Sequence, residues 1–367
     1  MERFEKKVSI GTVWRAASNR GDSRASRATT DFGWNHRIRG IEVQIHQLAL
    51  VDPSAKLGQD VQIGPFCVVE EGASIGDGSI LEARVTIKKG AIIGKNTHIF
   101  EGAVIGGLPQ CVGLAEEDCG GVIVGDGCTI RENVTIHRSM HAQDSTTVGD
   151  DCMIMANAHI AHDCHVADEV IMANNAMLAG HVSVGRRAFV SGAAGAHQFV
   201  RIGAYAMVGG QAHLVRDVPP FVTVDGLSSQ VVGLNLVGLR RAGFTSSDVK
   251  TLKEVYRTLY KSGLNWREIV EKIENEYKEG VGLEMARFIS STTRGVTTER
   301  STLPTVAASR ESSRNAEERE KRAESAHETP QLRVFTGSGE IDENSAEKFV
   351  DENGACTALP KSKRRIG

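Results

Sequence analysis

A six-residue spacing of hydrophobic side chains runs through the middle of the chain, from Val51 to about Pro219. An aliphatic residue leads each group of six, and a small residue follows four positions later, as in the pair Val51 and Ala55. An amphipathic helix would repeat its apolar positions every three or four residues, and a two-sided strand every second residue. A hexapeptide period is instead typical of a β-helix, in which each six residues form one flat wall and three walls complete a coil. The pattern therefore predicts a triangular prism filled by the leading and the small side chains.

The period divides the chain into a repetitive and a non-repetitive part. Residues 46–225 carry the repeat and are expected to form the β-helix, whereas residues 1–45 lie outside it as an irregular extension. Two stretches, 106–121 and 137–147, interrupt the repeat and predict loops that leave the regular walls. Binding groups are commonly carried on loops of this kind.

Beyond the repeat, the spacing of apolar residues becomes helical, so residues 226–296 predict an α-helical domain. Thr245 and Asp248 supply the N-terminal cap of one of its helices. Such a domain would cover the last coil, whose strand edges would otherwise be unpaired. Residues 297–367 are rich in Ser, Thr, Glu and Arg and poor in apolar residues, which predicts a disordered tail.

Charge and hydropathy exclude two classes of protein. The formal net charge of the 367 residues is −3, which gives no electrostatic basis for nucleic-acid binding. No apolar run approaches the ~18–20 residues that span a bilayer, so an integral membrane protein is not expected. Four of the seven cysteines occupy the small inward position of the repeat, and no CxxC motif occurs. Reduced structural thiols of this kind favour a cytoplasmic setting.

Histidines concentrate in the later part of the repeat, and the repeat determines which of them are neighbours. Three hexapeptides make one coil, so residues eighteen positions apart stack at about 4.8 Å. His162, Gly180 and Gln198 therefore share one column. A second column contains His159, Met177, Gly195 and His213.

The column of His162 suits acyl transfer to a hydroxyl group. Asp163 can accept a hydrogen bond from one imidazole nitrogen and leave the other free as a base. Gly180 offers a backbone N–H that no side chain obstructs, which suits it to stabilising an oxyanion. No covalent enzyme intermediate is required. Two alternatives stay open at this point: the histidines are solvated wall residues, or three of them from different subunits bind zinc.

Several segments around these columns match the motifs of one family. They are NAHIAHDC at 157–164 and the segments 130–132, 135–138, 173–175, 178–182, 197–199, 217–220, 238–241 and 291–295. Together they closely resemble the acyl-[acyl-carrier-protein]–UDP-N-acetylglucosamine O-acyltransferase family, which begins lipid A biosynthesis. The likeness covers about residues 48–296, and the combined motifs are more specific than those of generic hexapeptide transferases.

The resemblance implies a left-handed parallel β-helix with a C-terminal α-helical domain, and a homotrimer with active sites between neighbouring subunits. It implies that His162 deprotonates the 3-hydroxyl of UDP-N-acetylglucosamine, that Asp163 orients His162, and that the Gly180 N–H binds the thioester oxyanion. The donor would be a 3-hydroxyacyl chain on acyl carrier protein. No metal or cofactor is expected, because the thioester already supplies the activation.

The resemblance also assigns positions that contact the substrates. Those expected to line the acceptor and acyl sites are His159, His181, His197 and Gln198. Asn235 and Arg241 are expected to reach the nucleotide or the phosphopantetheine of the carrier. Gly210 matches the position that limits acyl length, and a glycine there predicts a longer 3-hydroxyacyl chain.

The sequence departs from the family pattern where the acceptor is recognised. Cys111 and Gly113 stand where the family carries an Asp and a Lys that help to hold the acceptor sugar. Val237 replaces an acidic nucleotide contact, and Ala242 replaces a second arginine. Since the catalytic column is intact, these changes predict an altered affinity or an altered sugar, such as a 3-amino analogue.

Two other functions fit parts of the pattern. The related N-acyltransferase of the same pathway normally has an N-terminal uridine-binding domain, for which residues 1–45 are too few and too irregular. A non-catalytic trimeric scaffold is favoured only by the missing charges at Cys111 and Gly113. The sequence therefore predicts O-acyl transfer to UDP-N-acetylglucosamine first.

Overall fold

Residues 43–300 are described by a computed structural model of the chain. Short strands wind around a triangular prism to form a left-handed parallel β-helix, and four α-helices follow it. The predicted fold class is confirmed. The expectations for residues 1–42 of the extension and for residues 301–367 of the tail lie outside the described residues.

Each wall of the prism is one sheet of short strands. In chain order the strands are β1 (Gln44–Ile45), β2 (Leu50–Val51), β3 (Lys56–Leu57), β4 (Gln62–Ile63), β5 (Val68–Val69), β6 (Ser74–Ile75), β7 (Ile80–Leu81), β8 (Thr86–Ile87), β9 (Ala91–Ile93), β10 (His98–Ile99), β11 (Val104–Gly107), β12 (Gly121–Val124), β13 (Thr129–Ile130), β14 (Thr135–His137), β15 (Ser145–Val148), β16 (Met153–Ile154), β17 (His159–Ile160), β18 (His165–Val166), β19 (Ile171–Met172), β20 (Met177–Leu178), β21 (Ser183–Val184), β22 (Phe189–Val190), β23 (Gly195–Ala196), β24 (Arg201–Ile202), β25 (Met207–Val208), β26 (His213–Leu214), β27 (Val222–Val224) and β28 (Val231–Leu234). The first sheet starts with β1 and has eleven strands, the second starts with β2 and has nine, and the third starts with β3 and has eight.

The register of the second sheet confirms the columns expected from the period. His159 pairs with Met177, Met177 with Gly195, and Gly195 with His213. The leading and the small residues of each hexapeptide fill the interior, where Ile160 is fully buried. The four inward cysteines are buried free thiols, as predicted: Cys67, Cys128, Cys152 and Cys164.

Both loops that interrupt the repeat leave the prism at the same edge. Residues 108–120 connect β11 to β12 and contain a short 3-10 helix, Glu116–Asp118, and residues 138–144 connect β14 to β15. Each connection runs from the second sheet to the third. The loops contact each other, because the Gly120 N–H donates to the Ser139 carbonyl and the Arg138 guanidinium donates to Glu116. One edge of the prism therefore carries all of the inserted chain.

The helical domain follows the last coil. It comprises α1 (Leu236–Arg241), α2 (Ser246–Lys261), α3 (Trp266–Glu276) and α4 (Gly280–Ser290). The predicted cap of α2 is present as a reciprocal box, in which Thr245 accepts from the Asp248 N–H and Asp248 accepts from the Thr245 N–H. Strand β28 pairs antiparallel with β27 and so covers the edge of the first sheet. None of the helices within residues 43–300 has the length and hydropathy needed to cross a bilayer.

Ion pairs and backbone hydrogen bonds attach the helical domain to the prism. Arg201, on β24, pairs with the buried Asp217 at 2.9 Å and also donates to the Phe288 carbonyl of α4. Residues 297–300, which the sequence assigned to the tail, are ordered: the Thr297 N–H donates to the Asp217 carbonyl. Because Asp217 binds both Arg201 of the prism and the backbone of Thr297 after α4, the helical domain and the last coils form one packed unit.

We expect Asn235→Ala to destabilise this junction. The Asn235 side chain caps α1 by accepting from the Gly238 N–H at 3.0 Å, and it donates to the Tyr205 carbonyl at 2.9 Å. Losing a helix cap costs about 1 kcal/mol, and the unpaired carbonyl adds to that cost. Urea denaturation should show a lower free energy of unfolding. An unchanged denaturation midpoint would contradict this role of Asn235.

Candidate active site

His162 and Asp163 form a buried acid–base pair at the edge that carries the loops. They follow β17 at the corner between the second and third sheets, and both side chains are nearly inaccessible to solvent. His162 Nδ1 lies 2.8 Å from Asp163 Oδ2. Asp163 has a φ of 58°, a left-handed corner conformation that asparagine and aspartate tolerate. Because the carboxylate is paired with Nδ1, the other ring nitrogen of His162, Nε2, is available to act as a base.

The second loop fixes the Asp163 carboxylate. Ser139 donates its hydroxyl to Asp163 Oδ1, and the Met140 N–H donates to Oδ2 at 3.3 Å. Thr146 accepts the Asp163 N–H at 2.8 Å. Burial opposes ionisation of Asp163, but the hydrogen bonds from Ser139, His162 and Met140 outweigh it and hold the pKa of the carboxyl below its usual range. Asp163 is therefore an ionised group with a fixed orientation.

Gly180 lies directly against the imidazole of His162. A Cβ at position 180 would lie 2.3 Å from His162 Cε1 and 2.6 Å from Nε2, so only glycine permits this approach. Within residues 43–300 the Gly180 N–H donates no hydrogen bond. A free donor beside a base is the arrangement that stabilises an oxyanion while the base holds a proton.

A cavity of about 490 Å³ opens in front of this pair and extends along the second sheet. Five of the predicted site residues line it: His159, His162, Gly180, His197 and Gln198. Cys111 of the first loop and His137 of β14 also line it. The structure therefore brings the two columns of histidines to one concave surface.

Two histidines of this surface are held in the neutral state. Burial, followed by the proximity of His159 and His162, lowers the pKa of His137 to about 4. Burial, followed by the proximity of His162, also lowers the pKa of His159, whose Nδ1 lies 2.7 Å from Thr135 Oγ1. Neutral rings add no positive charge that would oppose protonation of His162 during a reaction.

His181 belongs to the same corner but does not line the cavity. Its ring stacks on Phe199 at 4.4 Å, and its Nε2 lies 3.7 Å from Asp163 Oδ2. Burial lowers the pKa of His181, although the nearby Asp163 carboxylate opposes that shift. His181 therefore lies on the carboxylate side of the acid–base pair.

The other three predicted site residues lie away from the cavity. Gly210 follows β25, at the corner between the first and second sheets. Asn235 caps α1 and uses both ends of its amide within its own chain. Arg241 ends α1 and is exposed. Among the described residues, none of the three lines the cavity in front of His162.

Among the described residues, His162, Asp163 and His181 could together hold a metal ion, since their ligand atoms lie within 4.8 Å of one another. The hydrogen-bonded separation of 2.8 Å between His162 and Asp163 is short for two ligands of one zinc ion, which would lie about 3.3 Å apart. Both oxygens of Asp163 also already accept hydrogen bonds, Oδ1 from Ser139 and Oδ2 from Met140. The geometry suits a base and its orienting carboxylate better than a metal site.

Comparison with known proteins gives a consistent result. Residues 217–297 match the family model for domain 2 of UDP-N-acetylglucosamine O-acyltransferase, and residues 54–89 and 145–180 match that of bacterial transferase hexapeptide repeats. An acyl-[acyl-carrier-protein]–UDP-N-acetylglucosamine O-acyltransferase from Halorhodospira halophila is 40% identical over 255 residues, which cover 69% of this chain and 98% of the relative. The corresponding Paraburkholderia phymatum protein is 39% identical over 259 residues, also covering 98% of its length. The chain belongs to this acyltransferase family.

Solved structures agree with the assignment. The UDP-N-acetylglucosamine acyltransferase of Francisella novicida superposes with a TM-score of 0.67 at 37% identity, covering 72% of this chain and 96% of that one. The Campylobacter jejuni protein gives 0.65 at 35% identity and is covered completely. The predicted resemblance and the prediction of an acyltransferase are confirmed.

Sequence reasoning missed the residues that hold the acid–base pair in place. Ser139 lies in a loop without a period, so its position relative to Asp163 could not be counted along the coil. Thr146 lies on β15, directly after that loop, and its hydroxyl oxygen accepts a hydrogen bond from the Asp163 N–H. The proximity of Cys111 to His162 had no sequence signal, although the departure from the family pattern at Cys111 was visible.

We expect Ser139→Ala to lower kcat roughly tenfold and to move the acid limb of its pH profile upward. The Ser139 hydroxyl helps to keep the pKa of Asp163 low, so losing it raises that pKa. Protonation of the His162–Asp163 pair would then begin at a higher pH. Steady-state assays across pH test this, with Ser183→Ala on β21 as the control. A pH profile superimposable on that of the wild type would contradict the role of Ser139.

Proposed function

We propose that this acyltransferase moves a 3-hydroxyacyl group from acyl carrier protein to the 3-hydroxyl of UDP-N-acetylglucosamine, the first step of lipid A biosynthesis. The observation that carries the proposal is the contact of His162 with Gly180 at the mouth of a cavity. The base and Gly180 line the same cavity, where a hydroxyl and a thioester carbonyl can meet. The named activity of the relatives supports this choice of substrates.

Each step of the reaction has a residue in position. His162 Nε2 accepts the hydroxyl proton as the sugar oxygen attacks the thioester carbonyl, and Asp163 stabilises the resulting imidazolium. The Gly180 N–H donates to the oxyanion of the tetrahedral intermediate. Collapse of that intermediate expels the carrier thiolate, which takes the proton from His162. His159, His197 and Gln198 line the adjoining surface for the acceptor and the acyl chain.

A basic groove on the helical domain supports a carrier protein as donor. Arg240, Lys250, Lys253 and Arg257 line a cavity of about 490 Å³ along α1 and α2. Guanidinium and ammonium groups bind phosphate, which the phosphopantetheine arm contains. The exposed Arg241 follows Arg240 at the end of α1. The six free cysteines of the described chain favour a cytoplasmic location.

Exposed apolar residues support a homotrimer with sites between subunits. Leu50 and Met177 project from the second sheet and are at least half exposed, and Ile92 and Ile123 project from the third. These two walls meet at the edge that carries His162. Apolar flat walls are suited to cover one another in a closed symmetric assembly. Such packing would place a neighbouring subunit over the cavity.

A 3-amino UDP-sugar is the second candidate acceptor. It is favoured by Cys111 and Gly113, which remove two charges from the loop beside the base. Steady-state kinetics with 3-hydroxyacyl carrier protein and each of the two acceptors decides between them. We expect a higher kcat/KM with UDP-N-acetylglucosamine. A clear preference for the amine would replace the proposed acceptor, and turnover with neither would contradict the proposed function.

Gly210 supports a long acyl chain. A Cβ at this position would meet the Gly192 carbonyl oxygen at 3.3 Å, so a larger residue would crowd the corner that the glycine leaves open. The competing hypothesis is a short acyl chain whose length is limited by a residue other than Gly210. Turnover measured across acyl carrier substrates of increasing length should rise toward the longer chains. Activity restricted to short chains would contradict this proposal.

A further inference from the structure

The thiol of Cys111 lies against the catalytic base. Its Sγ is 3.8 Å from His162 Nε2, the nitrogen that faces the cavity. His162 Nδ1 in turn lies 2.8 Å from Asp163 Oδ2. A nucleophile, a base and a carboxylate that orients the base therefore stand in sequence, as in enzymes that use a covalent intermediate. Cys111 also lines the same cavity as Gly180, the candidate oxyanion donor.

We propose that Cys111 is a catalytic nucleophile that receives the acyl group before the acceptor sugar does. This inference rests on the proposed function for the identity of the donor. It adds a covalent intermediate to a reaction that the base and the oxyanion donor alone would perform in one transfer.

The two half-reactions balance without any further reagent. In the first, the Cys111 thiol gives its proton to His162 as its sulfur attacks the carrier thioester. A new carbon–sulfur bond forms to Cys111, the bond to the carrier breaks, and the leaving thiolate takes the proton from His162. In the second, His162 removes the proton of the acceptor hydroxyl, the oxygen attacks the Cys111 thioester, and the Cys111 thiolate is reprotonated by His162.

Thiol chemistry favours this route at the Cys111 position. Exchange between two thioesters retains the activation of the acyl group, so the intermediate is still able to acylate a hydroxyl. A thiolate is also a stronger nucleophile than a sugar hydroxyl at neutral pH, particularly beside a base. The neighbouring Met140 Sδ lies 3.5 Å from Cys111 Sγ and adds no competing charge.

Cys119 provides a matched control in the same loop. Its Sγ donates to the Ala115 carbonyl at 3.5 Å, and burial is the main cause of the raised pKa of this thiol. Within the described chain, no hydrogen bond joins Cys119 to a histidine. An intermediate confined to the thiol beside His162 would therefore form on Cys111 and not on Cys119.

Intact mass spectrometry of the full chain mixed with 3-hydroxyacyl carrier protein, without acceptor, tests the proposal. We expect the wild type and Cys119→Ala to gain the mass of one acyl group, and Cys111→Ala to gain none. Peptide mapping should place the group on Cys111, and neutral hydroxylamine should remove it. Adding UDP-N-acetylglucosamine should discharge the acyl group at a rate no slower than kcat.

The outcomes separate this inference from the proposed function. If the wild type makes nucleotide-sugar product without an adduct, and Cys111→Ala keeps the wild-type kcat, the inference is overturned and the proposed function stands. An adduct that forms on Cys111 but is discharged more slowly than kcat also overturns the proposed covalent intermediate. An adduct on Cys111 that only the 3-amino sugar discharges upholds the inference and replaces the proposed acceptor. Melting temperatures show whether Cys111→Ala is folded, and the wild-type adduct decides the question if it is not.

Discussion

His162→Ala should reduce kcat by about 10²–10⁴-fold, the range in which a positioned general base contributes. The imidazole is the group beside Gly180 whose Nε2 faces the cavity, and its Nδ1 is held by Asp163 at 2.8 Å. Without the imidazole, no base takes the proton from the hydroxyl or thiol that attacks the acyl carbon. KM should change less than kcat, because the walls of the cavity remain. Steady-state assays at saturating acyl donor measure the effect.

The control for His162→Ala is His165→Ala. His165 is an exposed residue of β18, and its Nδ1 lies 3.0 Å from Thr147 Oγ1 on the third sheet. We expect this variant to retain wild-type activity. If His162→Ala is folded and still turns over at the wild-type rate, His162 is not the base.

Gly180→Ala should have the second-largest effect, a loss of kcat on the order of 10²-fold. The added methyl would lie 2.3 Å from His162 Cε1, so the imidazole must leave its position or the corner must open. Either response separates the base from the oxyanion donor. The melting temperature should change little while kcat falls, because the imidazole ring can move into the cavity. Parallel measurements of kcat and melting temperature distinguish the two effects.

Gly192→Ala is the matched control for this substitution. Gly192 also lies at a corner of the prism, after β22, but a methyl there would meet only the Asn174 carbonyl oxygen at 3.4 Å, an ordinary contact. We expect wild-type kcat from this variant. Equal losses in the two variants would show that corners in general are intolerant, and would remove the special role of Gly180.

The regular part of the molecule could be predicted because its geometry is periodic. A coil of eighteen residues converts sequence separation directly into spatial proximity, so the column from His159 to His213 followed from counting. The same counting places Gly180 one coil away from His162, where the structure brings the two residues into contact. Burial of the four inward cysteines followed from the same frame.

The irregular parts could not be predicted in this way. Ser139 approaches Asp163 across a loop whose path is set by its own hydrogen bonds, not by the period. Cys111 reaches His162 from the other loop, at a sequence separation that no repeat defines. The resemblance alone predicts Asn235 at the substrate, whereas its capping role depends on where β28 ends and α1 begins. Loops and junctions therefore determine the details of the site, whereas the period determines its location.

We propose that the His162 column transfers an acyl group from a carrier thioester to a sugar hydroxyl. The most direct test is mass spectrometry of the nucleotide sugar formed from 3-hydroxyacyl carrier protein and UDP-N-acetylglucosamine, before and after treatment with alkaline hydroxylamine, which cleaves oxygen esters but not amides. We expect the wild type to form a nucleotide sugar that carries one acyl group and loses it on hydroxylamine treatment, as an ester does. His162→Ala should form almost none. A product that resists hydroxylamine, as an amide does, or no product from the folded wild type, would contradict it.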